Sequence, residues 1–287
     1  MGADVAVVLC RGACRTTVVE LNPERAANVS QLVQTGLSQL DAAQQVNKLS
    51  VAASLDEVDW ASVDVVIECI PERLDIKQTL FSQLEAHARP GTLLASNSSS
   101  FPISAIAQGL ETRERMLGLH FFMPAHLTPL VEVVCGEATD LECAQNLHAF
   151  MRQCGMVPVL VRKDLPGFLA NRMQHALARE AFALIDAGVA SSEDVDAAVR
   201  FGFGFRFLAA GPVLQRDHAG LEVHCAAAAT MYPSLAANKE PARCLAQKVA
   251  EGKLGMKTGE GFFAWTEQSM AQERQRLAMS CHCSFSK

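Results

Sequence analysis

The sequence predicts an α/β chain: a doubly wound parallel sheet followed by an all-helical region. Three observations carry this. Through about residue 161, short β-branched runs alternate with stretches of helical periodicity, the pattern of successive βα units. The run Val-Asp-Val-Val-Ile-Glu-Cys-Ile at 63–70 is nearly continuous in apolar residues, as a strand covered by helices on both faces is. After Pro166-Gly167 no stretch reads as a strand, while helical spacing continues to about residue 250. The chain thus divides into a sheet domain at 1–163, a helical domain at 164–266 and a tail at 267–287.

The elements follow in order. Residues 3–14 are small and apolar and read as a helix. Arg-Thr-Thr-Val-Val-Glu at 15–20 is a strand that ends on an acid. In a dinucleotide-binding βαβ unit, an acid at the end of the second strand bonds the ribose hydroxyls, about 20 residues after a glycine loop. Glu20 would be that acid and would favour NAD over NADP by repelling a 2′-phosphate. Counting back from it, Gly2 falls at the third glycine of Gly-x-Gly-x-x-Gly. The first strand and first two glycines would then precede residue 1, so the expectation is a motif that the chain enters part-way. An ordinary helix–strand pair with no cofactor is the alternative reading of this fragment.

Asn22 caps and Pro23 opens a helix running to about residue 40. Strands are expected at 48–53, 63–70 and 92–96, with a helix at 74–88 between the last two. Asn97-Ser-Ser-Ser100 lies at a strand's carboxyl end, where open α/β sheets place ligands. A helix at 103–110 leads into residues 118–134. There, Leu-His-Phe-Phe and Leu-Val-Glu-Val-Val form two short apolar strands around a proline-containing turn, which would bring His120 and Glu132 face to face. A histidine held by a carboxylate is a general base. The bland alternative is a core histidine and a strand-edge charge. A helix at 141–154 and a strand at 156–161 close the sheet. Helices are then expected at 168–187, with Gly188 past its end, at 191–200 behind a Ser191-x-x-Asp194 cap, at 214–232 and at 242–250.

Composition narrows the function classes. The chain has 287 residues, 49% hydrophobic and 20% charged, with a net charge of −6. That length suits two domains, and that charge gives no basic footprint for nucleic acid or anionic membrane. No apolar run reaches the ~18 residues of a membrane span. No basic leader precedes an apolar stretch at the start, and Ala6 argues against myristoylation of Gly2. Ten cysteines, several in apolar segments (Cys10, Cys69, Cys135, Cys225), suit reduced thiols in a cytoplasmic protein. Cys281-His282-Cys283 lacks a second ligand pair and reads as a disordered tail rather than a metal site.

Five motifs occur in order and in compact register: Ala95-Ser-Asn-Ser-Ser-Ser-Phe-Pro-Ile, Gly118-Leu-His-Phe-Phe-Met-Pro, Leu130-Val-Glu-Val-Val, Lys163-Asp-Leu-Pro-Gly-Phe-Leu-Ala-Asn-Arg and Gly255-Met-Lys-Thr-Gly-Glu-Gly-Phe-Phe. Together they resemble the L-3-hydroxyacyl-CoA dehydrogenase family, which includes 3-hydroxybutyryl-CoA dehydrogenases and, more distantly, gulonate and carnitine dehydrogenases. The resemblance runs from Gly2 to about Trp265. It implies a Rossmann-type fold, NAD as cofactor, an acyl-CoA substrate of fatty acid metabolism, no metal, and a homodimer formed through the helical domain. It implies that His120 takes the hydroxyl proton and Glu132 orients it, with Ser99 and Asn171 at the substrate. It implies cofactor contacts from Glu72, Lys77, Ser99 and Lys257. From local pattern alone, Ser99 equally caps the next helix, and Asn171, Glu72, Lys77 and Lys257 are ordinary surface polar residues. His126 is the rival base, flanked by Pro124 and Pro129.

One departure stands inside the motifs. Met123 occupies the position where the family usually has an asparagine that donates to the substrate oxygen, and methionine cannot donate. Losing such a donor would cost ~10²-fold if it acts on developing charge. Three expectations follow: an NAD-dependent 3-hydroxyacyl-CoA dehydrogenase; a dehydrogenase of a non-thioester hydroxy acid of gulonate or carnitine type; or a catalytically impaired relative that binds acyl-CoA or a partner without turnover.

Overall fold

The computed structural model describes residues 1–283, with side chains through residue 276. It divides into two compact units, Met1–Arg172 and Met173–Lys287. The first unit opens with α1 (Gly2–Arg11), β1 (Thr16–Val19), α2 (Pro23–Ser38) and β2 (Leu49–Ala52). It continues with β3 (Val65–Glu68), α3 (Leu74–His87), β4 (Leu93–Ser96) and α4 (Ile103–Ile106). β5 (Met116–Phe121), β6 (Leu130–Cys135), α5 (Leu141–Gln153) and β7 (Val157–Val161) follow. α6 (Ala170–Asp186) starts at its end.

The strands form two separately hydrogen-bonded sheets. β1 and β2 pair in parallel, and β3-β4-β5-β6-β7 form the larger sheet. β3, β4 and β5 are mutually parallel; β6 runs antiparallel to β5 and carries β7 parallel to itself. α1 packs on both sheets. Its Val5 and Val8 join Leu117, Leu119, Phe121, Val131 and Val133 with Leu147 and Met151 of α5, while its Ala6, Val7 and Cys10 join Val29, Val33 and Leu37 of α2 beside Val18 and Leu49. The approach of α1 and α2 is close enough that a Cβ on Gly36 would lie 2.6 Å from a methyl of Val7.

Side chains alternate across the larger sheet with a period of two. Leu117, Leu119 and Phe121 face α1 and α5, whereas Met116 and Val134 face α3, α4 and Phe168. His120 shares the parity of Met116, and Glu132 that of Val134, so both project to the α3–α4 side. Gly118, opposite Val134, is required there: a Cβ would meet Val134 at 2.8 Å and Ile103 of α4 at 2.9 Å.

Several expectations need correction. α4 is one turn long because Gly109 adopts φ +93, ending the helix expected at 103–110. α6 starts at Ala170 rather than 168, because Gly167 and Phe168 take φ +77 and +47. The second unit holds α7 (Ser192–Ala197), a wider helical turn at Ala198–Phe203, α8 (Pro212–Ala219), α9 (Leu221–Met231) and α10 (Arg243–Ala250). The single helix expected at 214–232 is thus two, broken at Gly220 with φ +93. Residues 267–283, expected only as a tail with disorder at Cys281-His282-Cys283, form α11 (Glu267–Cys283), whose start is fixed by reciprocal bonds between Thr266 and Ser269. The side chains of Cys281, His282 and Cys283 lie outside the described residues. Cys225 is exposed rather than buried. Among the described residues the second unit has isolated bridges at Gly255, Glu260 and Ala264 but no strand. No single helix among them is long and apolar enough to cross a membrane.

Candidate active site

His120 and Glu132 are direct cross-strand partners in the antiparallel β5–β6 pair. Their side chains meet: His120 Nδ1 lies 2.7 Å from Glu132 Oε2. His120 is 5% exposed and Glu132 is fully buried. The other carboxylate oxygen, Oε1, accepts from the backbone N–H groups of Ala170 at 2.8 Å and Leu169 at 3.0 Å. These amides belong to the amino-terminal turn of α6, where free N–H groups and the helix dipole favour an anion. Burial pushes the Glu132 pKa up, but the His120 bond, the Ala170 amide, the His120 charge and the Leu169 amide together hold it below the ordinary glutamate range. The carboxylate is therefore ionised and acceptor-only, so Nδ1 carries the proton and donates it. A ring that donates through Nδ1 keeps Nε2 as its site for accepting a proton. The rings of Phe122, 4.6 Å away and tilted, and Phe168, 5.6 Å away and edge-on, flank the imidazole.

The left-handed Phe168 was not legible as a site residue. Its φ of +47 costs about 1 kcal/mol or more for a side chain with a Cβ. It turns the chain so that the next two amides reach Glu132, while its own ring seals the imidazole at 3% exposure.

The remaining expected residues fall in several places. Ser99 is half-buried; its amide donates to Glu72 Oε1 at 3.2 Å. It does not cap α4, whose cap position is Pro102; instead Ser98 Oγ accepts from Phe101 N at 3.1 Å. Asn97 Oδ1 accepts from the Phe121 amide at 2.8 Å, tying this serine turn to the strand carrying His120. Asn171 lies in the first turn of α6, half-buried. Glu72 bonds the amides of Ser99 and Ser100 and the hydroxyl of Ser98 through Oε1. Burial raises its pKa, and the Ser98, Ser100 and Lys77 contacts outweigh that to leave it lowered. Lys77 is not a surface residue: it is 1% exposed and paired with Glu68 and Glu72. Lys257 is exposed in a turn of the second unit. His126 is tied to Asp4 at 3.2 Å and to Gln39 at 2.8 Å, joining the 122–129 loop to α1 and α2. Among the described residues no group of three or more His, Cys, Asp or Glu side chains is placed to hold a metal.

The residues present fit a dinucleotide. Gly2 starts α1 close to Cys69, just past the end of β3: a Cβ on Gly2 would stand 3.7 Å from that of Cys69. The amino terminus of a helix therefore opens at the carboxyl end of a parallel sheet, the arrangement that binds a pyrophosphate. Glu20 follows β1 directly and is fixed through Oε1 by the Asn22 amide at 2.9 Å. This is the position from which an acid in a dinucleotide-binding βαβ unit can accept from ribose hydroxyls.

A sheet with these strand ends and a buried histidine–carboxylate pair beside them fits a nicotinamide-dependent dehydrogenase. The comparisons with known proteins agree. The profile of the 3-hydroxyacyl-CoA dehydrogenase NAD-binding domain matches residues 1–165, and that of the family's C-terminal domain matches residues 167–265. The chain belongs to the 3-hydroxyacyl-CoA dehydrogenase family, a family of NAD-dependent oxidoreductases. It is 32% identical to the 5-formyl-3-hydroxy-2-methylpyridine 4-carboxylate 5-dehydrogenase of Mesorhizobium japonicum, over 96% of this chain and 91% of that one. It is 30% identical to a probable 3-hydroxybutyryl-CoA dehydrogenase of Bacillus subtilis, over 94% and 95%. The crystal structure of a 5-formyl-3-hydroxy-2-methylpyridine 4-carboxylic acid 5-dehydrogenase, described as an NAD+-dependent dismutase, matches with a TM-score of 0.89 and 30% identity, covering 98% of this chain and 93% of that one.

Proposed function

We propose that this chain reversibly oxidises an L-3-hydroxyacyl-CoA to the 3-ketoacyl-CoA, with His120 as general base and Glu132 as its orienting partner. The observation that carries the reading is the contact between His120 Nδ1 and the fully buried Glu132 Oε2 at 2.7 Å, which engages one ring nitrogen and leaves Nε2 to accept a proton. NAD supplies the acceptor for the hydride leaving C3. The chain's own groups supply the rest. Nε2 takes the hydroxyl proton as the C–O bond gains double-bond character, and Glu132 stabilises the imidazolium that forms. Phe122 and Phe168 exclude water from the ring. In the reducing direction the same nitrogen returns the proton. Ser99 and Asn171 contact the substrate in this reading; Gly2, Glu20, Glu72, Ser99 and Lys257 serve the cofactor, and Lys77 supports Glu72.

A second reading has a specific observation behind it. Met123 is 73% exposed next to Phe122 and offers no hydrogen bond to a thioester substrate's oxygen. The Mesorhizobium relative, matched over nearly its whole length, is named for a pyridine carboxylate bearing a formyl group. The hydrate of such a formyl group presents the same H–C–OH unit to His120. Absorbance at the NADH band with acetoacetyl-CoA, and separately with NAD and a pyridine aldehyde carboxylate, decides between them. Turnover of the first alone supports the thioester, turnover of the second alone the aldehyde, and neither would remove both.

We also propose a homodimer formed through the second unit. Phe201, Leu208, Val213 and Tyr232 there are each at least 70% exposed, apolar surface that a second copy would cover. Light scattering on the purified chain tests it; a monomer mass would contradict it.

A further inference from the structure

A second buried carboxylate, outside the His120 pair, organises the cofactor end of the first unit. Glu68 is the last residue of β3 and is 3% exposed. Its side chain accepts four hydrogen bonds: two from Lys77 Nζ at 2.8 and 2.9 Å, one from Ser96 Oγ at 2.6 Å and one from the Ile70 amide at 2.6 Å. Its backbone carbonyl accepts from Asn97 N at 2.9 Å. One residue therefore gathers the end of β3, the end of β4 and the first turns of α3. Lys77 reaches outward from this cluster to Glu72 Oε2 at 3.2 Å. Glu72 is the cluster's outermost member, and its other oxygen holds the 98–100 turn that presents Ser99.

A buried ion pair of this kind is weak evidence for stability, since apolar residues of similar volume often serve as well. What an apolar pair would not do is fix a third group at the surface. We propose that Glu68 is a positioning residue for the nicotinamide cofactor: it anchors the Lys77 ammonium, which sets Glu72 and, through it, the serine turn. This rests on the dehydrogenase reading of the site. Without Glu68, Lys77 is left with Glu72 alone and draws that carboxylate inward, off the turn.

The test separates positioning from packing with three chains: wild type, Glu68→Gln, and the neutral pair Glu68→Gln/Lys77→Met. Thermal unfolding and NADH affinity, by energy transfer from tryptophan to the bound nicotinamide, are read on each. Glu68→Gln is expected to lower Tm by at least ~5 °C and weaken NADH binding at least ~10-fold, because it strands a buried cation. The double variant is expected to recover most of the Tm while NADH binding stays at least ~10-fold weak, because Glu72 still lacks its anchor. NADH affinity that returns with Tm to within ~2-fold of wild type would overturn the proposal and leave a structural ion pair. Should Glu68→Gln fail to fold alone, Glu68→Asp, which keeps the charge and draws it back from Lys77, takes its place, and NADH affinity within ~2-fold of wild type there would overturn the proposal. Wild type that binds no NADH would instead remove the cofactor reading on which the proposal rests.

Discussion

Glu68 and Glu132 sit on strands of the same five-stranded sheet, both buried, and each takes a cationic or basic partner, yet they do different work. Glu132 lies mid-strand beneath a histidine and against the open amino terminus of α6. Glu68 lies at a strand end beneath a lysine and against two neighbouring loops. The difference is in the partner's proton. An imidazole can both accept and donate a proton through its two nitrogens, whereas an ammonium only donates. In the proposed reaction the first pair would move a proton, while the second would serve as a strut. A buried carboxylate alone says nothing about chemistry; its partner and what that partner faces decide.

Five measurements would break or sharpen this contrast. The largest effect is expected from His120→Gln, which should lower kcat at least ~10²-fold in the acetoacetyl-CoA assay, since amide nitrogen does not accept the proton. A rate close to wild type would remove His120 as the base. Glu132→Gln should lower kcat by ~10-fold or more and shift the acidic limb of the pH–rate profile to lower pH, because the ring loses the charge that favours imidazolium. Lys77→Met should leave that limb where it is; a shift would mean the two carboxylate sites are coupled.

Glu132 also makes a stability prediction. Its folded pKa is depressed, so its contribution is complete above the unfolded value and is lost as pH falls through the lower folded value. The Tm gap between wild type and Glu132→Gln should thus be constant above about pH 5 and shrink below about pH 4. A gap that widens on acidification would contradict an ionised Glu132. The smallest effect is expected from Met123→Asn, a gain of a few-fold in kcat with acetoacetyl-CoA as a donor is restored. No gain there, together with turnover of a pyridine aldehyde, would favour the second reading of the substrate.

Much of this was legible in the residues because it depends on local chemistry. Asn22 caps α2 by accepting from the Arg25 amide, Ser191 caps α7, and Gly188 with φ +67 ends α6, each as short-range pattern indicates. The apolar runs around His120 and Glu132 gave the antiparallel pair and its register. α11 was missed although its signal was present: Thr266 and Ser269 form a local cap ahead of strong helix formers. The break at Gly220 was missed for another reason. The apolar spacing on either side is continuous, and nothing local shows that this glycine takes φ +93.

The sequence by itself determined the strands, most of the helices, the facing of His120 and Glu132, and the acid at the end of β1, because these follow from periodicity, turn chemistry and motif. The tertiary structure decided three things. It put the amides of Leu169 and Ala170, some 37 residues from Glu132, onto its free oxygen. It buried Lys77 on Glu68 instead of leaving it at the surface. It placed Phe168 in a left-handed conformation against His120. Two of these join a charged or strained group to a group distant in the chain, and the third, Lys77 on Glu68 nine residues away, depends on how α3 folds back on β3. Propensity and spacing are local quantities and carry no information about which distant groups will compensate a buried charge.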